Sequence, residues 1–140
     1  MAERAGVKIV SAALPQDDVL WQSLRDGRNS RVLQPGDMGR IIHAESVLPA
    51  SEQPLTVGVT DPLIPENNAV FRLTEKGAER SDASAQLVIG VDALLPLVTG
   101  LISPGMLAEQ GKLQVNDPAA QAVAEQAFGR ARPPFIYELY

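Results

Sequence analysis

The sequence predicts an α+β fold, a mostly antiparallel sheet with helices packed on one face. Three observations predict it. Two stretches of period-two alternation, 55–61 and 69–77, lie on either side of a turn-rich loop, as in a hairpin. A third apolar stretch, 86–91, follows a short polar segment. From residue 92 to residue 129 the helix punctuation of capping residue, early Pro and closing Gly then recurs. Strands followed by helices that must bury an apolar stripe make a layered fold.

The elements follow in chain order. "VKIVSAAL" (7–14) reads as a strand ended by Pro15. Asp17 or Asp18 caps a helix through "VLWQSLRDG", with Leu20, Trp21 and Leu24 on one stripe and Gly27 as its stop. "RNSRVLQPGD" reads as loop, with an extended piece at 31–33 and a turn at Pro35-Gly36-Asp37. "MGRIIHA" (38–44) reads as a strand, and Glu45 to Leu48 starts a helical turn that Pro49 limits. In "LTVGVTD" (55–61), Leu55, Val57 and Val59 alternate with Thr56, Gly58 and Thr60. "PLIPENN" is loop, and "AVFRLTEKG" (69–77) alternates again, Phe71 and Leu73 against Val70 and Arg72. "ERSDASA" reads as polar loop and "QLVIGV" (86–91) as the third strand. "DALLPLVTG" (92–100) is a helix opened by Asp92 and closed by Gly100, with Pro96 shortening or kinking it. "SPGMLAEQG" (103–111) is a short helix with Ser103 as cap, Pro104 at its first position and Gly111 at its end. "KLQVND" is a short strand, and "DPAAQAVAEQAFG" (117–129) is the clearest helix of the chain.

Composition narrows the function classes. At 140 residues with 45% hydrophobic side chains, the chain can bury a full core as one domain, 1–140. Within it, about 1–50 is an N-terminal strand and helix segment, 51–129 the sheet and helices, and 130–140 an aromatic tail. No apolar run reaches a membrane span, and the first ten residues carry no signal-peptide pattern, so a cytoplasmic protein is expected. The chain has no Cys and one His, His43, so no thiolate or multi-histidine metal site is expected. A net charge of -5 with scattered Lys and Arg points away from nucleic acid. Aromatics are six in all, and three of them fall in the last six residues, in "RPPFIYELY" (132–140). A chain end this apolar is unusual, because termini generally fray in water.

Two blocks, "LTVGVTDPLIPENNAVFRL" and "AQLVIGVDALLPLVTGLISPGMLAEQGKLQVNDPAAQAVAEQAF", followed by the aromatic C-terminus, carry a resemblance. They resemble the C-terminal domain of the enhanced-intracellular-survival family, GNAT-type N-acetyltransferases best known for acetylating aminoglycosides. That resemblance implies a sterol-carrier-protein-like fold and covers the chain from about Leu14 to Tyr140. A GNAT domain needs a Gly-rich turn at a helix N-terminus for the pyrophosphate of acetyl-CoA. This sequence has no such stretch, since Gly27 stands alone in "LRDGRNSRV". The expectation is therefore no complete active site and no cofactor in this chain, with acetyl-CoA entering only through a partner GNAT acetyltransferase domain or subunit.

In the resembled family the last residue's carboxylate is proposed as the general base that accepts the amine proton. Here the resemblance gives that role to the α-carboxylate of Tyr140. A free α-carboxylate has a pKa of about 3.3–3.7, too low for a strong base at neutral pH, and burial raises it. Burying one Phe or Tyr of about 200 Å² contributes on the order of 5 kcal/mol before ordering costs, enough to anchor such a tail. The competing reading is plain packing, with Phe135, Tyr137 and Leu139 facing inward.

A second function class is a lipid or hydrophobic-ligand carrier. Sterol carriers leave a tunnel between helices and sheet. Leu94, Val98, Leu101, Met106 and Leu107 are the candidates to line one here, or else they fill the core. A third is a module that forms homo-oligomers. His43 beside Glu45 could act as a base, yet no nucleophile elbow accompanies it, and a structural role is expected. Asp61, Glu66, Asn67 and Asn68 make an oxygen-rich loop whose two prolines disrupt calcium-ligand spacing. It reads as a turn in which Asn supplies left-handed backbone.

Overall fold

A computed structural model describes residues 39–129. The readings at 7–14, 17–27 and 31–37 and the tail 130–140 lie outside the described residues. Helix α1 spans Ala44–Val47, strand β1 Leu55–Thr60, β2 Ala69–Thr74, β3 Gly77–Ser81 and β4 Leu87–Gly90. Helix α2 spans Val91–Val98, α3 Pro104–Glu109, β5 Leu113–Val115 and α4 Pro118–Phe128. A single 3-10 turn, Pro65–Asn67, lies between β1 and β2.

The five strands form one sheet in the order β3-β2-β1-β4-β5. β1 and β2 pair antiparallel, as their alternation predicts, with Leu55 opposite Leu73 and Val57 opposite Phe71. β2–β3 and β4–β5 are antiparallel too. β4 runs parallel to β1, with Val57 opposite Leu87 and Val59 opposite Ile89. The sheet is thus mixed and mostly antiparallel. Register aligns the apolar side chains in rows across one face: Phe71, Val57 and Leu87 in one, Val59, Ile89 and Leu113 in the next. These residues join Leu94, Leu97, Leu107, Ala120, Ala124 and Phe128 from the helices in one hydrophobic cluster. The expected α+β arrangement holds.

Two helix starts match their sequence signals. Ser103 Oγ accepts from the Met106 amide and Pro104 opens α3. Asp117 Oδ1 accepts from the Ala119 amide and Pro118 opens α4. α2 differs. It begins at Val91, directly after β4, with Gly90 as its uncapped N-terminal boundary. Asp92 falls inside the first turn, where its charge still complements the helix dipole. Pro96 is accommodated inside α2, which ends at Val98, and Gly100 takes φ 72° beyond it.

Two sequence readings are corrected. Residues 77–81, read partly as polar loop, form β3, because an edge strand can carry Glu79 and Arg80 without an apolar pattern. Arg80 lies opposite Phe71, and its guanidinium stands 5.7 Å from that ring's centroid. Residues 39–43, read as strand, pair with no other strand among the described residues, and the chain enters α1 at Ala44.

Candidate functional site

The eight residues that connect β1 to β2, "DPLIPENN", are built around one carboxylate. Asp61 directly follows β1 and is buried. Its Oδ1 accepts from the amides of Leu63 at 2.9 Å and Ile64 at 3.1 Å, an Asx-turn across Pro62. Pro65 opens the 3-10 turn, which carries Asn67 back beneath the loop. Asn67 Nδ2 then donates to Asp61 Oδ2 at 2.9 Å. Asn68 closes the loop in both directions. Its Oδ1 accepts from the Asp61 amide and its Nδ2 donates to the Asp61 carbonyl, each at 2.8 Å. No non-glycine residue among those described has positive φ. The two asparagines thus act through their side chains, and the expected left-handed backbone is corrected.

The segment before α1 is tied to the same group. Arg40 donates to Asp61 Oδ1 at 2.8 Å from a half-exposed guanidinium. The Ala44 amide, at the start of α1, donates to Asn67 Oδ1 at 2.9 Å. Desolvation pushes the Asp61 carboxyl upward. The bonds from Asn67, Leu63 and Ile64 and the charge of Arg40 outweigh it and hold the pKa at about 2, below the ordinary 3.8. An anion with four donors and such a low pKa is a poor proton acceptor near neutrality. Asp61 is a structural anion here, and sequence reasoning found its loop without finding Arg40. The Asp-Pro after a strand and the paired Asn signalled the turn, whereas nothing in the pattern joins positions 40 and 61.

Beside this node lies a cleft of about 410 Å³. It is lined by Gly39, Arg40, Thr60 and Pro62 together with Gly90, Val91, Asp92, Leu95 and Pro96. Its lining is more apolar than polar, and it includes none of the five residues singled out as ligand candidates. Those five separate. Leu94 and Leu107 are 0% exposed and sit in the core cluster. Val98 packs against that cluster. Leu101, between α2 and α3, is 61% exposed, and Met106, within α3, is 53% exposed. Tyr140 lies outside the described residues.

His43 is exposed, and its Nδ1 lies 3.0 Å from Ser46 Oγ across the first turn of α1. Among the described residues no carboxylate contacts the ring to orient it, so the pair lacks the third group of a nucleophilic triad. Among the described residues no group of three His, Cys, Asp or Glu could hold a metal ion. No helix among them is long and apolar enough to cross a membrane.

Comparison with known proteins fits this architecture. The Sterol carrier protein domain family matches residues 38–137. Among curated proteins nothing matches. The structure of Eis1 from Mycobacterium abscessus is similar over 69% of this chain and 26% of its own, with TM-score 0.65 and 24% identity. A GCN5-related N-acetyltransferase from Anabaena variabilis is similar over 67% and 26%, with TM-score 0.59 and 25% identity. One from Kribbella flavida is similar over the same shares, with TM-score 0.52 and 20% identity. The chain spans about a quarter of the length of these solved structures. The likeness is one of fold, and it joins the same two groups that the sequence blocks resemble. With the family matching 100 consecutive positions through sheet and helices alike, the chain belongs to the Sterol carrier protein domain family.

Proposed function

We propose that this chain is a non-catalytic module of a GNAT-type N-acetyltransferase, acting as scaffold and presenting the α-carboxylate of Tyr140 to the acetyltransferase active site. The observation that carries this reading is the likeness of its fold to one quarter of GCN5-related N-acetyltransferase chains. The chemistry agrees with it. The buried carboxylate among the described residues is Asp61, and it is committed to its own loop. In this reading acetyl-CoA binds only in the partner GNAT domain, and the protein works in the cytoplasm. The apolar side chains of the sequence 135–140 would then bury against the partner, and burial would raise the terminal carboxyl's pKa toward useful basicity.

The interior also weighs against a lipid carrier. Phe71, Leu55, Leu73, Leu87, Leu94 and Leu107 are essentially inaccessible and fill the space between sheet and helices. The test mixes the chain with acetyl-CoA and an aminoglycoside or polyamine, with and without a GNAT partner domain. No turnover is expected from the chain alone. Turnover with the partner that is lost on deletion of Tyr140 supports the reading. Turnover alone overturns it. Acyl lipid seen by native mass spectrometry of the purified protein would replace it with the carrier function, and light scattering would report any homo-oligomer.

A further inference from the structure

The segment 39–48 is held to the domain in an unusual way. None of its residues pairs into the sheet. Among the described residues, no backbone-to-backbone hydrogen bond joins it to the remainder, since the Leu48 amide bonds within the segment to the Ala44 carbonyl. Its polar attachments run through side chains: Arg40 to Asp61, the Ala44 amide to Asn67, and the looser Glu45–Arg80 pair at 3.8 Å. Ile41, Ala44 and Leu48 are buried and join the hydrophobic cluster. Just beyond it the chain is fixed, because the Ser51 amide donates to the Thr74 carbonyl at 2.9 Å and Ser51 Oγ to the Gln53 carbonyl at 2.6 Å.

We infer that residues 39–48 form a strap latched by Asp61 and Asn67, which undocks as a unit while the five-stranded sheet stays intact. Strand ladders are cooperative, whereas a segment held by a few side-chain bonds and three buried apolar side chains, with no ladder of its own, opens at lower cost. The latch is compact. Both polar arms end on the β1–β2 loop, so one local change there releases both. Undocking removes Gly39 and Arg40 from the wall of the 410 Å³ cleft, which Leu95 and Pro96 also line. Gly39 lies so close to this wall that a Cβ on it would stand 2.9 Å from Leu95 Cδ2. The strap is thus the gate of the cleft. This inference is independent of the acetyltransferase reading.

Native-state hydrogen exchange by NMR on the full chain, in low urea, tests it. The Ala44 and Leu48 amides are expected to exchange through an opening with weaker urea dependence than those of Val57 and Ile89. Asp61→Asn keeps an Oδ1 acceptor for Arg40, Leu63 and Ile64 but removes the charge that Arg40 pairs with, and it sets an amide donor against Asn67 Nδ2, so both arms of the latch weaken. It is expected to speed exchange at Ala44 by about tenfold or more, with Val57 and Ile89 unchanged. Arg40→Gln leaves the Asp61 loop whole and is expected to give the same selective effect, several-fold in size. Strap and sheet amides opening together in the native protein overturn the inference. So does a uniform acceleration in either variant, or none at Ala44 in both.

Discussion

Leu94→Ala tests whether the helix α2 leucines are core or cavity lining. The Leu94 side chain is 0% exposed and belongs to the cluster that joins helices to sheet. Truncation removes three carbons, worth roughly 2.4 kcal/mol at about 0.8 kcal/mol per methylene. The hole left between well-packed neighbours adds on the order of 1 kcal/mol, for a total of about 3–4 kcal/mol. Urea unfolding followed by far-UV circular dichroism measures this. At a slope of about 2 kcal/mol per molar urea, the midpoint falls by roughly 1.5–2 M with the slope unchanged. Leu101→Ala serves as the paired control, because Leu101 is largely exposed, and its effect stays within about 0.5 kcal/mol. A loss below about 1 kcal/mol for Leu94→Ala would refute the core assignment. A residue lining an occupied tunnel loses ligand on truncation, not folding free energy, so acyl lipid bound by the native protein and released by the variant would refute it too.

Three further outcomes are expected. Asp61 has its pKa depressed to about 2, so its ionised form is favoured by folding; the stabilisation is complete above 3.8 and disappears as pH falls through 2. Acid titration of the native protein monitored by circular dichroism should therefore show a stability loss in that window that Asp61→Asn lacks, and equal acid sensitivity of the two proteins would contradict the assignment. Asn67→Ala leaves the buried Ala44 amide without its acceptor and is expected to cost about 1–3 kcal/mol in urea titration; a cost under about 0.5 kcal/mol would mean the bond is dispensable. Gly77→Val meets no atom within 4 Å but must adopt φ 120°, so a loss of about 1–3 kcal/mol in thermal melts is expected from backbone strain alone, and a neutral variant would show the β2–β3 turn can relax.

The parts of this fold that sequence reveals are those set by local chemistry. Alternation in 55–60 and 69–74 fixes which side chains face the core, and the observed register puts Leu55 against Leu73 as that alternation requires. Ser103 and Asp117 cap their helices because capping depends on a hydroxyl or carboxylate two or three residues from a free amide. What stays hidden is long-range. Alternation says which face of β4 is buried but not that β1 is its parallel neighbour. β3 escapes notice because an edge strand needs no apolar pattern when its partner supplies the core residues. The site shows the same division. The Asx-turn of Asp61 is local and was readable as a turn, while its partner Arg40 comes from a segment 21 positions earlier with no spacing signal.

The chemistry of the Asp61 node also constrains what any proton transfer through this module would need. A general base near neutrality needs a pKa lifted toward the working pH, and lone pairs aimed at the substrate. Asp61 has the opposite design: several donors converge on it, its pKa is lowered, and its oxygens are spent on Leu63, Ile64, Asn67 and Arg40. His43 is exposed, and among the described residues its ring is held by a neighbouring serine. In the proposed function, proton acceptance belongs to the α-carboxylate of Tyr140, and burial in a partner's active site would have to supply its basicity. The scaffold's own contribution is then mechanical. A filled core holds the sheet and helix α4 together, and in sequence α4 leads into the segment that ends at Tyr140. A Leu94→Ala protein that still folds at low temperature but loses partner-dependent turnover with its Tyr140 intact would be the signature of that mechanical role, because it weakens the frame without touching the base.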